Sequence, residues 1–421
     1  MDDIFKCESG LRILVVPMQN TRALAMGVFV GTGSMMEAEG EEGISHFIEH
    51  MVFKGTERRS SFEIVDELES LGIQINAYTT KNTTVFYTVS IDEHADKCAD
   101  MLSDILFNAT FAQKDIDSER GVVLEEIKMC EDDPEDLVGE LLSEAHFGKA
   151  PIAKPILGNE KSLATFDKEK ILAYMERRYT ADNTVVVIAG NVRKEDGIAL
   201  ATKYFDRFGN RLKAVGAPLK RTVPVGGFRQ ENKNIKQANI SFGFNGCSFM
   251  SEEQTAQSFL NIIFGSAMSS RLFQAVREKL GLAYSVYSMP LDYADDGYFT
   301  IYLGTSVKKA KKAVEAIREE ILKLKRDGIT EKELSSAREQ LKAAYVLGAE
   351  SASAVMRLYG KAAILKNAVY DSEEKIKAVN KVTVEDVKRA IDNCFDFGKA
   401  SAAYVGKKLG FNPLSVLREG K

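Results

Sequence analysis

The chain is short of several features that mark special classes of protein. With 8 prolines among 421 residues, no low-complexity tract, and a composition that is 45% hydrophobic and 28% charged, it reads as a globular chain rather than a disordered one. Cysteine is scarce too. Cys7, Cys98, Cys130, Cys247 and Cys394 are odd in number, widely spaced and without a C-x-x-C pair, which argues against both a disulfide framework and a thiolate zinc site. They read as reduced, mostly buried thiols. No apolar run approaches the length of a membrane span, so no membrane partner is expected. A large charge of one sign is also missing: 56 basic residues against 61 acidic ones leave a net charge of -5 spread along the chain, which makes nucleic acid a poor partner. The opening MDDIFKCESG is acidic and runs directly into LRILVVP, without the basic and apolar regions of a secretory signal, so the expected location is cytoplasmic.

What the chain does have is length and order. Its 421 residues suggest two domains of about 200 residues each. Strand-like runs (LRILVV, ALAMGVFVGTG, INAYTT, TVFYTVSI) alternate with amphipathic helical runs such as FEIVDELESLG, an α+β or α/β pattern. Periodicity weakens around residues 207–236, where NRLKAVGAPLKRTVPVGGFRQENKNIK reads as a linker. The division is therefore 1–210, a linker at 211–230, and 231–421. Three segments recur in the second half. FDKEKILAYMERRYTADNTVVVIAG matches VTVEDVKRAIDNCFDFGKASAAYVG, GIQINAYTTKNTTVFYTVSI matches GLAYSVYSMPLDYADDGYFTIYLG, and QKDIDSERGVVLEEIK lies on EKELSSAREQLKAAYV. In the last match Glu119 falls opposite Ala337 and Glu126 opposite Ala344, so the first copy holds carboxylates that the second lacks.

Histidine is rarer still, with four in the chain, yet two of them stand in SHFIEH. On a helix, His46 and His50 share a face one turn apart, with Glu49 next to it, so two imidazoles can reach one metal ion. This is H-x-x-E-H, the inverted zinc-protease motif. A catalytic zinc takes three protein ligands, so a third must come from elsewhere. In SERGVVLEEIK, Glu119 and Glu126 are seven residues apart and share a helical face, while Glu125 is turned by about 100° from Glu126. His94 and His146 fit no ligand spacing and read as structural or exposed.

H-x-x-E-H followed about 75 residues later by ERGVVLEE, inside a chain of two repeats, resembles the superfamily of pitrilysin, insulin-degrading enzyme and mitochondrial processing peptidase. The likeness extends over nearly the whole chain and is greatest to the processing-peptidase-like bacterial proteases. It implies an α+β fold of two repeated α/β-sandwich domains, each a mainly antiparallel sheet covered by helices. It also implies one zinc ion per chain held by His46, His50 and Glu126, with Glu49 as general base and Glu119 as a second acidic residue supporting the site. The chemistry of the residues agrees: zinc acidifies water towards a pKa of about 7, and a carboxylate beside it can carry the proton from water to a leaving amine.

The resemblance extends to substrate contacts. In RLFQAVREKLGLAYSVYS, Arg277 and Tyr284 match an Arg and a Tyr that contact substrate; by residue type alone they read as a surface Arg and a core Tyr. Asn76, Ala77 and Tyr78 match a strand whose edge pairs with extended substrate, although an ordinary hairpin strand would show the same alternation. Asp136 and Glu140, in CEDDPEDLVGE, match acidic positions that bind a substrate arginine, which implies a preference for basic peptides; the alternative is a solvated face whose helix is capped by Asp132 or Asp133 ahead of Pro134. Family members close two such halves into a clamshell, so the expectation is a homodimer with a composite active site, acting on peptides inside a closed cavity. The rival expectation is a catalytically silent subunit that binds substrate or serves a structural role.

Overall fold

The computed structural model describes residues 3–210 and 221–419. Half of the expected linker, 211–220, lies outside the described residues. The chain forms two compact units, the first built from 3–127, 154–210 and 346–371, the second from 128–153, 221–345 and 372–419.

In the first unit, β1 (Phe5–Lys6), β2 (Arg12–Pro17), β3 (Ala23–Val30), β4 (Gln74–Thr79), β5 (Thr84–Ile91) and β6 (Thr184–Gly190) make one sheet in the order β1-β2-β6-β3-β5-β4. Strands β2 and β6 run parallel and the other neighbours antiparallel. The central strands read as unbroken apolar runs because both faces are covered. On one face Leu14, Phe29 and Val187 pack with Met356 and Ala363 of the helix Ala352–Lys366. Gly360 makes that approach feasible, since a Cβ there would lie 2.1 Å from Cζ of Phe29. On the other face Val28 and Ile188 join a core with α1 (Ile44–Met51), α2 (Ser61–Glu69) and α3 (Ala95–Phe107), through Phe47, Ile48, Ile64 and Leu102.

The second unit repeats this plan. Strands β7 (Phe228–Asn232), β8 (Gln237–Asn245), β9 (Ala283–Asp292), β10 (Gly297–Ser306) and β11 (Ser401–Gly406) are ordered β7-β11-β8-β10-β9, with β7 and β11 parallel. That is the order β2-β6-β3-β5-β4 over again, the two-repeat α+β architecture expected from the sequence. The recurring segments fall on equivalent elements: β4 and β5 against β9 and β10, β6 against β11, and α4 (Gln113–Asp132) against the helix Glu331–Leu347.

The units do not divide the chain as 1–210 and 231–421. Helix α5 (Pro134–Phe147) belongs to the second unit, where Val138, Leu142 and Ala145 are buried and the helix packs on β8 and β11. The equivalent later helix, Ala352–Lys366, belongs to the first. Helical periodicity marks an apolar face but carries no information about which of two similar sheets receives it.

His146 on α5 shows what that packing demands. It is fully buried, with Nδ1 2.9 Å from Oγ of Ser401, and its ring stacks on Tyr298 at 5.5 Å. Its place is structural, as expected; His94 is half-buried beside α3. Burial pushes the pKa of His146 from 6.5 down to about 4. A base whose folded pKa is depressed contributes stability that is present above its unfolded pKa and lost as pH falls towards the folded value. Between pH 6.5 and 4 the parent should lose up to about 3 kcal/mol through this residue. Denaturant unfolding of His146→Gln over that range should show a shallower pH slope than the parent; equal slopes would remove His146 as the cause.

Candidate metal centre

Helix α1 begins where an ordinary side chain cannot. Its N-cap, Gly43, has φ 88°, and a Cβ there would lie 2.5 Å from the carbonyl oxygen of Leu157. Gly43 brings no capping side chain, and the buried Glu37 supplies one from outside, accepting hydrogen bonds from the backbone N–H of Gly43 (2.8 Å) and Ser45 (3.0 Å). Burial pushes the Glu37 carboxyl up to about 7 against those donors. Ile44, Phe47, Ile48 and Met51 face the core, which turns the motif residues the other way. His46 and His50 then lie one turn apart, with ring centroids 4.5 Å from each other.

Helix α4 brings the carboxylates. Ile116, Glu119 and Val123 are its buried positions, and Arg120 ties it down by donating to the carbonyls of Leu163 (3.0 Å) and Phe166 (2.9 Å). Oε2 of Glu126 is 3.7 Å from Nε2 of His46 and 3.7 Å from Nε2 of His50. That oxygen is buried without a hydrogen-bond partner, and the three ligand atoms form a metal-competent group. A tetrahedral zinc with bonds of 2.0–2.1 Å separates its ligands by about 3.3 Å, so the trio fits zinc with little adjustment. Glu125 is exposed, as its helical angle predicts.

Glu119 is not a fourth member of the trio. Its Oε1 is 2.8 Å from Nδ1 of His50, and its Oε2 is 2.5 Å from Nζ of Lys54. Donating Nδ1–H to Glu119 raises the pKa of His50 above its ordinary value, against burial. Burial pushes Glu119 up in turn, but His50 and Lys54 outweigh it and hold the carboxyl below its usual range. An ionised Glu119 on Nδ1 leaves Nε2 of His50 as the lone-pair nitrogen facing Glu126.

Glu49 points into a groove of about 680 Å³ that His50, Phe53, Lys54, Phe62, Asn76 and Ala77 also line. Oγ1 of Thr79 donates to its Oε2 at 2.5 Å. Burial raises the Glu49 pKa and that hydrogen bond opposes it. Lys54 and Thr79 carried no signal in the sequence as partners of the motif, since each reaches it through a turn or a strand outside α1.

The remaining expected contacts are distributed as follows. Asn76, Ala77 and Tyr78 sit on β4, which is the edge of its sheet. Asn76 and Ala77 line the groove, but the side chain of Tyr78 packs on the opposite face, against Tyr87 at 6.2 Å and the cluster under Ala352–Lys366. Arg277 and Tyr284 belong to the second unit. Arg277 is exposed, with its guanidinium 4.8 Å from the Phe273 ring, and Tyr284 is 68% exposed rather than a core residue. Asp136 and Glu140 are exposed on α5, also in the second unit, and Asp133 caps that helix ahead of Pro134. No helix among the described residues is long and apolar enough to cross a membrane.

Residues 12–160 match the insulinase family, peptidase family M16, and residues 165–341 match the family described as the peptidase M16 inactive domain. An uncharacterized zinc protease of Bacillus subtilis is 40% identical over 91% of this chain and 93% of its own length. One from Rickettsia bellii is 34% identical over 96% and 97%. The fold is that of a structure described as the peptidase M16 inactive domain from Pseudomonas fluorescens (TM-score 0.90, 20% identity, 98% of this chain and 100% of that one). It is also that of a protease from Helicobacter pylori (TM-score 0.89, 20% identity, 96% and 99%).

Proposed function

Because the chain belongs to peptidase family M16, the insulinase family, we propose that it is a zinc endopeptidase acting on peptides or unstructured segments. The observation that carries the reading is the convergence of His46, His50 and Glu126 on one point, beside a carboxylate that opens onto a groove. Zinc held there supplies Lewis acidity, which acidifies water and polarises a carbonyl. Glu49 takes the proton of the attacking water and returns it to the leaving amine, and the chain is cut into two shorter peptides. Glu119 keeps the His50 tautomer in place. The open edge of β4 offers backbone pairing to an extended substrate and so binds without demanding a particular sequence.

The active form in this reading is a homodimer with one zinc per chain. Arg277 and Tyr284 of one subunit complete the partner's site, holding the substrate carbonyl and the oxyanion that develops from it. Their exposure supports the role. Asp136 and Glu140, acidic and exposed, are the contacts for a basic substrate side chain.

The test is cleavage of a library of unstructured peptides, some Arg-rich, by the purified chain before and after metal removal. Cleavage should vanish with chelation and return when zinc is restored to one ion per chain, and the cut sites should lie near arginine if Asp136 and Glu140 act as assigned. Cleavage that survives complete metal removal would sink the zinc mechanism, and a fully zinc-loaded chain that cuts nothing would favour a silent subunit.

A further inference from the structure

Glu49 has a hydrogen-bond partner that the motif does not include, and the place of that partner gives it a second connection. Thr79 is the last residue of β4, paired with Thr84 of β5, and no described strand pairs with the other side of β4. The N–H of Thr80 donates to the carbonyl of Thr83 at 2.8 Å, which sets the alternation of the ladder. In an antiparallel pair, bonded and non-bonded positions alternate, so Tyr78 and Asn76 turn their backbone groups towards β5 while Ala77 and Thr79 turn theirs to the open side. Consistent with this, the N–H of Ala77 meets its neighbour's Oδ1 on Asn76 at 2.8 Å instead of a β5 carbonyl. Thr79 therefore presents its backbone to the open edge and its hydroxyl to Oε2 of Glu49, 2.5 Å away.

We propose that Thr79 is a positioning residue that couples pairing of an extended peptide along β4 to the orientation of Glu49. The inference rests on the reading of Glu49 as general base. A β-branched side chain has few χ1 choices, and a peptide strand laid against the edge fixes the backbone from which that side chain projects. With Oε2 held by the hydroxyl, Oε1 is the oxygen left for the proton of water. A substrate that occupies the edge thus tightens the geometry of its own cleavage, and one that bypasses the edge does not.

Thr79→Val keeps the branched shape and removes the donor; Thr79→Ser keeps the donor. Both are to be compared with the parent in kcat, KM and zinc content, with a crystal structure of each. A displaced base of this kind should lower kcat of Thr79→Val by about tenfold or more. Zinc content and KM should stay near those of the parent, because binding of metal and ground-state peptide does not use the hydroxyl. Thr79→Ser should restore most of kcat, and Glu49 should leave its place in the crystal structure of Thr79→Val alone. The proposal is overturned by an unchanged kcat in Thr79→Val, by an equal loss in Thr79→Ser, by loss of zinc, or by a Glu49 that stays in place without the hydroxyl. If the zinc-loaded parent itself cuts nothing, the peptidase reading fails separately, and the position of Glu49 in the two structures still decides the Thr79 link.

Discussion

Glu49→Gln is expected to lower kcat by about 10²–10⁴, the contribution of a positioned general base, while leaving one zinc per chain. Glutamine has the size and shape of glutamate, so the groove and the hydrogen bond from Thr79 can persist. What it cannot do is accept and return a proton. His46, His50 and Glu126, the group that would hold the ion, are untouched by the change. Activity should therefore fall without loss of metal, and the comparison is Glu126→Gln, which should lose metal and activity together. A Glu49→Gln chain that cuts at the parent's rate would remove Glu49 from the chemistry, and one that has lost its zinc would move it into the metal's ligand set.

A second large effect tests the proposed homodimer. Arg277→Ala with Tyr284→Phe should silence the enzyme although its zinc residues are intact, and Glu49→Gln should silence it although Arg277 and Tyr284 are intact. Mixed in equal amounts and allowed to exchange subunits, the two silent chains should recover roughly a quarter of the parent activity, because half of the dimers are mixed and each has one complete site. No recovery with proven exchange would place Arg277 and Tyr284 in the service of their own chain's zinc, or outside catalysis. The expectation draws on their exposure, since a tyrosine in the core could not reach a partner.

Much of this protein was legible in the chain itself, for a reason that can be stated residue by residue. His46 and His50 share a face because a helix returns after about 3.6 residues, and Glu119 and Glu126 do so because seven residues make nearly two turns. Such relations need no other part of the molecule. The repeat was legible too, because the same sheet order demands the same succession of strand and helix patterns, and the loss of both carboxylates at Ala337 and Ala344 marked which copy carries the site.

Other relations exist only after folding. Spacing left Glu119 and Glu126 equivalent; α4 packed beside α1 puts the first on Nδ1 of His50 and the second within 3.7 Å of both Nε2 atoms. Residue type left Tyr284 in a core, and Tyr78 and Ala77 on one list of contacts; strand alternation placed Tyr78 under Ala352–Lys366 and its neighbour Ala77 on the side of the groove. The amphipathic pattern of α5 and of Ala352–Lys366 announced that each needs a sheet, and the tertiary structure decided that each takes the sheet of the other repeat. Lys54 and Thr79 entered the site the same way. The local sequence determined which residues share a face, because backbone geometry repeats over a few residues. Which faces meet was decided by packing, because shape and burial are properties of the whole chain.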